Sequence, residues 1–127
     1  MPDATSLVRV LNDILTRDRR YHPDAYAFVL ATLQDTVRRL DRPRHVTGQE
    51  LLDGLRRYAL DQFGPMTRTV LNAWGLYTTD DVGEIVFALI DAKILGKTST
   101  DSKDDFKARY TFDEAFDRAI RYTLHEE

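Results

Sequence analysis

Between Thr5 and Arg20 the apolar residues Leu7, Val8, Val10, Leu11, Ile14 and Leu15 recur at helical spacing, which predicts an amphipathic first helix. Tyr21-His22-Pro23-Asp24 interrupts it. Pro is suited to a first helical turn, where its missing N–H would be unpaired anyway. A second helix is therefore predicted from Pro23 to about Leu40, with Ala25, Tyr26, Phe28, Val29, Leu30, Leu33 and Val37 as its apolar positions. Residues 41–46 read as a linker, and Pro43 stops the helix. Thr47-Gly48-Gln49-Glu50 has the spacing of a capping box, in which the Thr hydroxyl and the Glu carboxylate each accept from the other's backbone amide. A third helix follows to about Phe63. Gly64-Pro65 ends it and opens a shorter helix to Trp74, which Gly75 closes.

Thr79 is the expected cap of a fifth helix, with Asp80 and Asp81 in its first turn, where the helix dipole favours anions. Its apolar run extends from Val82 to Leu95. After Gly96 the pattern changes. Lys97-Thr98 and the alternating stretch Phe106 to Tyr110 predict two short strands around a polar loop, Ser99 to Asp105. Phe112 to about Leu124 returns to helical spacing. The expected fold is one mainly α domain with a minor β part. Helices over 1–46 precede a winged-helix-like unit over 47–127, whose two-stranded hairpin is the wing and whose recognition helix is Thr79 to Leu95. A plain six-helix bundle is the competing architecture.

His45-Val46-Thr47-Gly48-Gln49-Glu50-Leu51-Leu52, Tyr58-Ala59-Leu60, Gln62-Phe63-Gly64-Pro65-Met66, Trp74-Gly75, Gly83-Glu84-Ile85-Val86-Phe87 and Phe112-Asp113-Glu114-Ala115-Phe116 together resemble a family of small proteins from planctomycetes and verrucomicrobia. The similarity covers about residues 20–116. No activity is assigned to that family, so the resemblance implies a bacterial cytoplasmic protein and transfers no catalytic residue.

Charge bears on what such a fold could bind. The net charge is −3. Residues 1–46 carry eight Arg and six Asp, net +2, and the remainder is net −5. On the fifth helix, Asp80, Glu84, Phe87 and Asp91 fall within about 60° of one another. A DNA reader would place Arg, Lys, Asn or Gln on that stripe, and carboxylates repel phosphate. Nucleic acid is therefore disfavoured there.

Two readings of Phe87 remain open: a core residue covered by other helices, or an apolar hot spot rimmed by carboxylates and used for a protein partner or self-association. The Arg cluster of Arg17, Arg19, Arg20, Arg38, Arg39, Arg42 and Arg44 supplies the alternative, a DNA-binding transcriptional regulator or an acidic-partner surface using the N-terminal half. Asp18, Asp35 and Asp41 are interleaved with it and partly neutralise it.

Other chemistries find few residues. The chain has no Cys, which excludes disulfides, thiolate metal sites and thiol nucleophiles. His22, His45 and His125 form no spaced ligand motif, and the six Gly build neither a dinucleotide fingerprint nor a P-loop. No acid–base pair or nucleophile can be named. No metal, cofactor or catalytic residue is expected. The start of the chain lacks a signal-peptide pattern and no apolar run approaches a membrane span, so a cytoplasmic protein without membrane contact is the expectation.

Overall fold

A computed structural model describes residues 4–96 and 102–118. The chain is mainly helical: α1 (Ala4–Arg17), α2 (Pro23–Arg38), α3 (Gly48–Phe63), a 3₁₀ turn (Gly64–Met66), α4 (Thr67–Ala73), α5 (Thr79–Asp91), a second 3₁₀ turn (Lys103–Phe106) and a π-helical turn (Asp113–Arg118). None of the helices is long and apolar enough to cross a membrane among the described residues.

Local chemistry starts and stops these elements. Pro23 sits at the start of α2, where His22 Nδ1 accepts from the Asp24 amide at 3.0 Å. The capping box at Thr47 and Glu50 is present as its spacing predicts. The cap of α5 is Thr78 rather than Thr79, because Asp81 at the third helical position returns to the Thr78 amide and completes a second capping box.

The hydrophobic faces meet in one core. α2 and α3 run antiparallel: Phe28, near the start of α2, stacks on Tyr58 and Phe63 near the end of α3, with Trp74 closing the aromatic cluster. Leu52, Leu55, Leu71, Leu76, Ile85 and Leu89 are fully buried, and each contributes about 1.5–3 kcal/mol by leaving water. α1 is held more loosely. Val10, Leu11, Ile14 and Leu15 lie half-buried against the core.

The expected two-stranded wing is not seen, and there is no strand among the described residues. Lys97 and Thr98, its first predicted strand, lie outside them. The second, Phe106 to Tyr110, is an irregular strap across α3 and α5. Its alternation is real but serves two anchors, Phe106 in the core and Tyr110, whose hydroxyl donates to the Leu52 carbonyl at 2.7 Å. The intervening backbone bonds to side chains instead of to a partner strand. The Phe106 carbonyl accepts from Thr79 Oγ1 at 2.6 Å, and the Ala108 amide donates to Asp80 Oδ1 at 3.1 Å. Ala108 itself has a positive φ of 47°, which breaks any extended run. A winged helix is therefore the wrong description, whereas the mainly α class stands.

α5 also ends earlier than its apolar run. Lys93 takes a left-handed conformation at φ 64°, and the Ile94 amide donates back to Leu89 O at 2.9 Å. This is a Schellman stop built without glycine. Ile94 then folds back into the core.

Candidate interaction site

Asp80, Glu84, Phe87 and Asp91 do share the outer side of α5, but three of them have partners within the chain. Asp80 receives the Ala108 amide. Glu84 is half-buried and bridges Lys103 Nζ at 3.1 Å and Arg20 Nη2 at 3.5 Å. Phe87 is half-buried and meets Phe106 edge to face, ring centres 6.3 Å apart. Asp91 is exposed and lines a groove between α5 and α1.

Phe87 also lines a cleft of about 360 Å³. The end of α2 supplies Leu33 and Val37, the start of α3 with its lead-in supplies Val46 and Leu51, and α5 supplies Val86 and Ile90. Leu95 and Phe106 add to the apolar lining, and Arg44, His45 and Thr47 also line it. Its volume lies near the lower end of the range for pockets that enclose a small ligand or a side chain. The sequence pattern places Leu33, Val37, Val86, Ile90 and Leu95 at apolar positions of predicted helices, but the cleft exists only because α2, the 41–46 linker and α5 converge, which no local spacing records.

The seven Arg are dispersed. Arg17 pairs with Asp13 at 3.1 Å, and Arg20 is held by Asp18 at 2.7 Å. Arg38 and Arg39 reach the two oxygens of Asp35 at 2.6 and 2.9 Å, with Arg57 at 3.8 Å. Asp35 is 4% exposed on its side chain. Burial works to raise its carboxyl, but the hydrogen bonds and charges of Arg39 and Arg38 overcome this and leave it below the ordinary range. Arg44 grips Glu50 with both terminal nitrogens, at 2.9 and 2.6 Å. Among the described residues Arg19 and Arg42 carry no ion pair; Arg19 lines an open groove beside Trp74 and Tyr77. Of the interleaved carboxylates, Asp18 and Asp35 thus pair with Arg20, Arg38 and Arg39, while Asp13 and Glu50 take Arg17 and Arg44.

The Glu50 carboxyl is lowered from 4.5 to about 2, first by the Arg44 hydrogen bond and then by the Thr47 amide. A carboxyl depressed in the folded state contributes stability above its unfolded pKa and loses it as pH falls through the folded value. The melting temperature should therefore fall on acidification from about pH 4.5 towards 2. Glu50→Gln, which keeps a capping-box acceptor, should flatten part of that fall. An unchanged acid profile in the variant would remove Glu50 from the account.

Among the described residues no three His, Asp or Glu side chains group to hold a metal ion. The searches for known relatives are equally bare: no protein-family model, no curated protein and no solved structure matches the chain.

Proposed function

We propose that the chain is a non-catalytic protein-interaction module that docks a partner at the cleft beside Phe87. The observation that carries this reading is the cleft itself: an apolar hollow whose lip is an aromatic ring shared with the charged stripe of α5. An apolar centre inside a polar rim is the usual anatomy of a binding hot spot. The displaced titratable groups each have a local cause. Arg20 lowers Asp18, Arg44 lowers Glu50, and burial raises Tyr21, Tyr26 and Tyr110. The regulator reading through the Arg-rich half has less support, because Arg17, Arg20, Arg38 and Arg39 already meet a carboxylate.

Panning a random dodecapeptide library on the purified chain tests this. Peptides should enrich on the wild type and not on Val37→Trp, whose indole fills the cleft. Phe87→Ala should weaken the enriched peptides roughly tenfold or more while still melting cooperatively. Equal enrichment on wild type and Val37→Trp, or none on either, would overturn the proposal.

A further inference from the structure

Resting on the interaction-module reading, we infer that the partner segment taken by the cleft is both apolar and acidic: a bulky apolar side chain enters beside Phe87 and Val37, and a neighbouring carboxylate of the same segment meets Arg44. The charge of the lining selects this chemistry. Among the described residues that line it, Arg44 and His45 are the ionisable ones and none is a carboxylate. An apolar hollow with a guanidinium in its lining is complementary to an apolar segment that carries a carboxylate.

Arg44 is built to accept that second carboxylate. Its Nη1 donates to Glu50 Oε1 at 2.9 Å and to the His45 carbonyl at 3.0 Å, and its Nη2 donates to Glu50 Oε2 at 2.6 Å. A guanidinium has five N–H groups in a rigid fork, so donors remain for an incoming acceptor on a side chain that is 52% exposed. Glu50, for its part, does not depend on Arg44 alone. Its Oε1 also accepts the Thr47 amide at 3.1 Å as half of the capping box. When Arg44 turns towards a ligand, Glu50 stays fixed by the helix cap. Glu50 is therefore an internal competitor for the same cation, and the partner's carboxylate must displace or share it.

That competition gives the test its opposite signs. Peptides enriched on the wild type should carry a bulky apolar residue together with an excess of Asp or Glu. In fluorescence titrations of the best enriched peptide, Arg44→Gln should weaken binding roughly tenfold, the scale of a charge-assisted hydrogen bond. Glu50→Gln keeps the cap but releases the cation, and should tighten binding by about twofold to fivefold, the scale of a surface ion pair. A role for Arg44 in the fold alone would weaken binding in both variants, and that result overturns the inference. Enriched peptides that are apolar without acidic residues also overturn it, and they leave the interaction module standing. Loss of enrichment relative to Val37→Trp removes the module itself. A dimer in light scattering that Val37→Trp abolishes would assign the cleft to a second copy of this chain, and displacement of the peptide by micromolar decanoate would assign it to a small carboxylate. Either result overturns a separate protein partner.

Discussion

Phe106→Ala is expected to destabilise the fold by about 3–5 kcal/mol, the range for deleting a buried aromatic ring, and to lower the melting temperature by about 10 °C or more. Phe106 is only 4% exposed although it comes from an irregular segment. Two helices make room for it where they carry no side chain. A Cβ on Gly83 of α5 would lie 2.7 Å from the Phe106 Cβ, and one on Gly48 at the start of α3 would lie 3.0 Å from its ring. The ring also supports Phe87 edge to face, and the Phe106 carbonyl is bound by the buried Thr79 hydroxyl. Truncation therefore removes the ring's packing, opens a void continuous with the cleft, and loosens the strap from 102 to 110. Urea melts of Phe106→Ala and Phe106→Leu check this: leucine refills most of the volume and should cost no more than about 1.5 kcal/mol. A loss below about 1 kcal/mol for the alanine variant would show that the strap is not anchored by this residue.

The same residue shows where sequence reasoning stops. Phe106 and Tyr110 alternate with polar residues as a half-buried strand would, and alternation reports which side chains turn inward but not what the backbone pairs with. Here Thr79 and Asp80 take those backbone bonds, a long-range fact with no local signature. Helix starts and stops were legible wherever one residue type is needed for a physical reason, as at Pro23, at the Thr47–Glu50 box and at Gly75. The end of α5 was hidden because Lys93 fills the left-handed position that glycine usually marks. The cap at Thr78 did leave a trace, since Asp81 stands three residues on, but the adjacent Thr79 offers the same hydroxyl. The stripe from Asp80 to Asp91 follows from helical spacing alone. What lies beside it does not: periodicity cannot say that Phe87 meets Phe106 or that the ends of α2 and α5 leave a hollow between them.

Gly75→Ala should cost about 2–4 kcal/mol, because it adds a steric overlap to the cost of a positive-φ backbone. At Gly64 φ is +50° and no atom lies within 4 Å of where a Cβ would stand, so alanine there meets only the intrinsic cost of that backbone region. Gly75 has φ +93° and faces the Arg20 carbonyl oxygen, which an added Cβ would overlap. Backbone cannot yield as the tip of a flexible side chain does. The position is also pinned from both sides. The Gly75 amide donates to Asn72 O at 3.0 Å and the Leu76 amide to Leu71 O at 2.9 Å, the two bonds of a Schellman stop. The preceding carbonyl, Trp74 O, accepts the His22 amide at 3.0 Å and ties this turn to the start of α2. Leu71 and Leu76 are both fully buried, so relieving the overlap by moving the turn would disturb the core beneath it. Thermal melts of Gly75→Ala against the wild type check this. A loss below about 1 kcal/mol would mean that the approach of the 20–22 segment to Gly75 is looser than this packing requires, and would reduce Gly75 to a helix stop and nothing more.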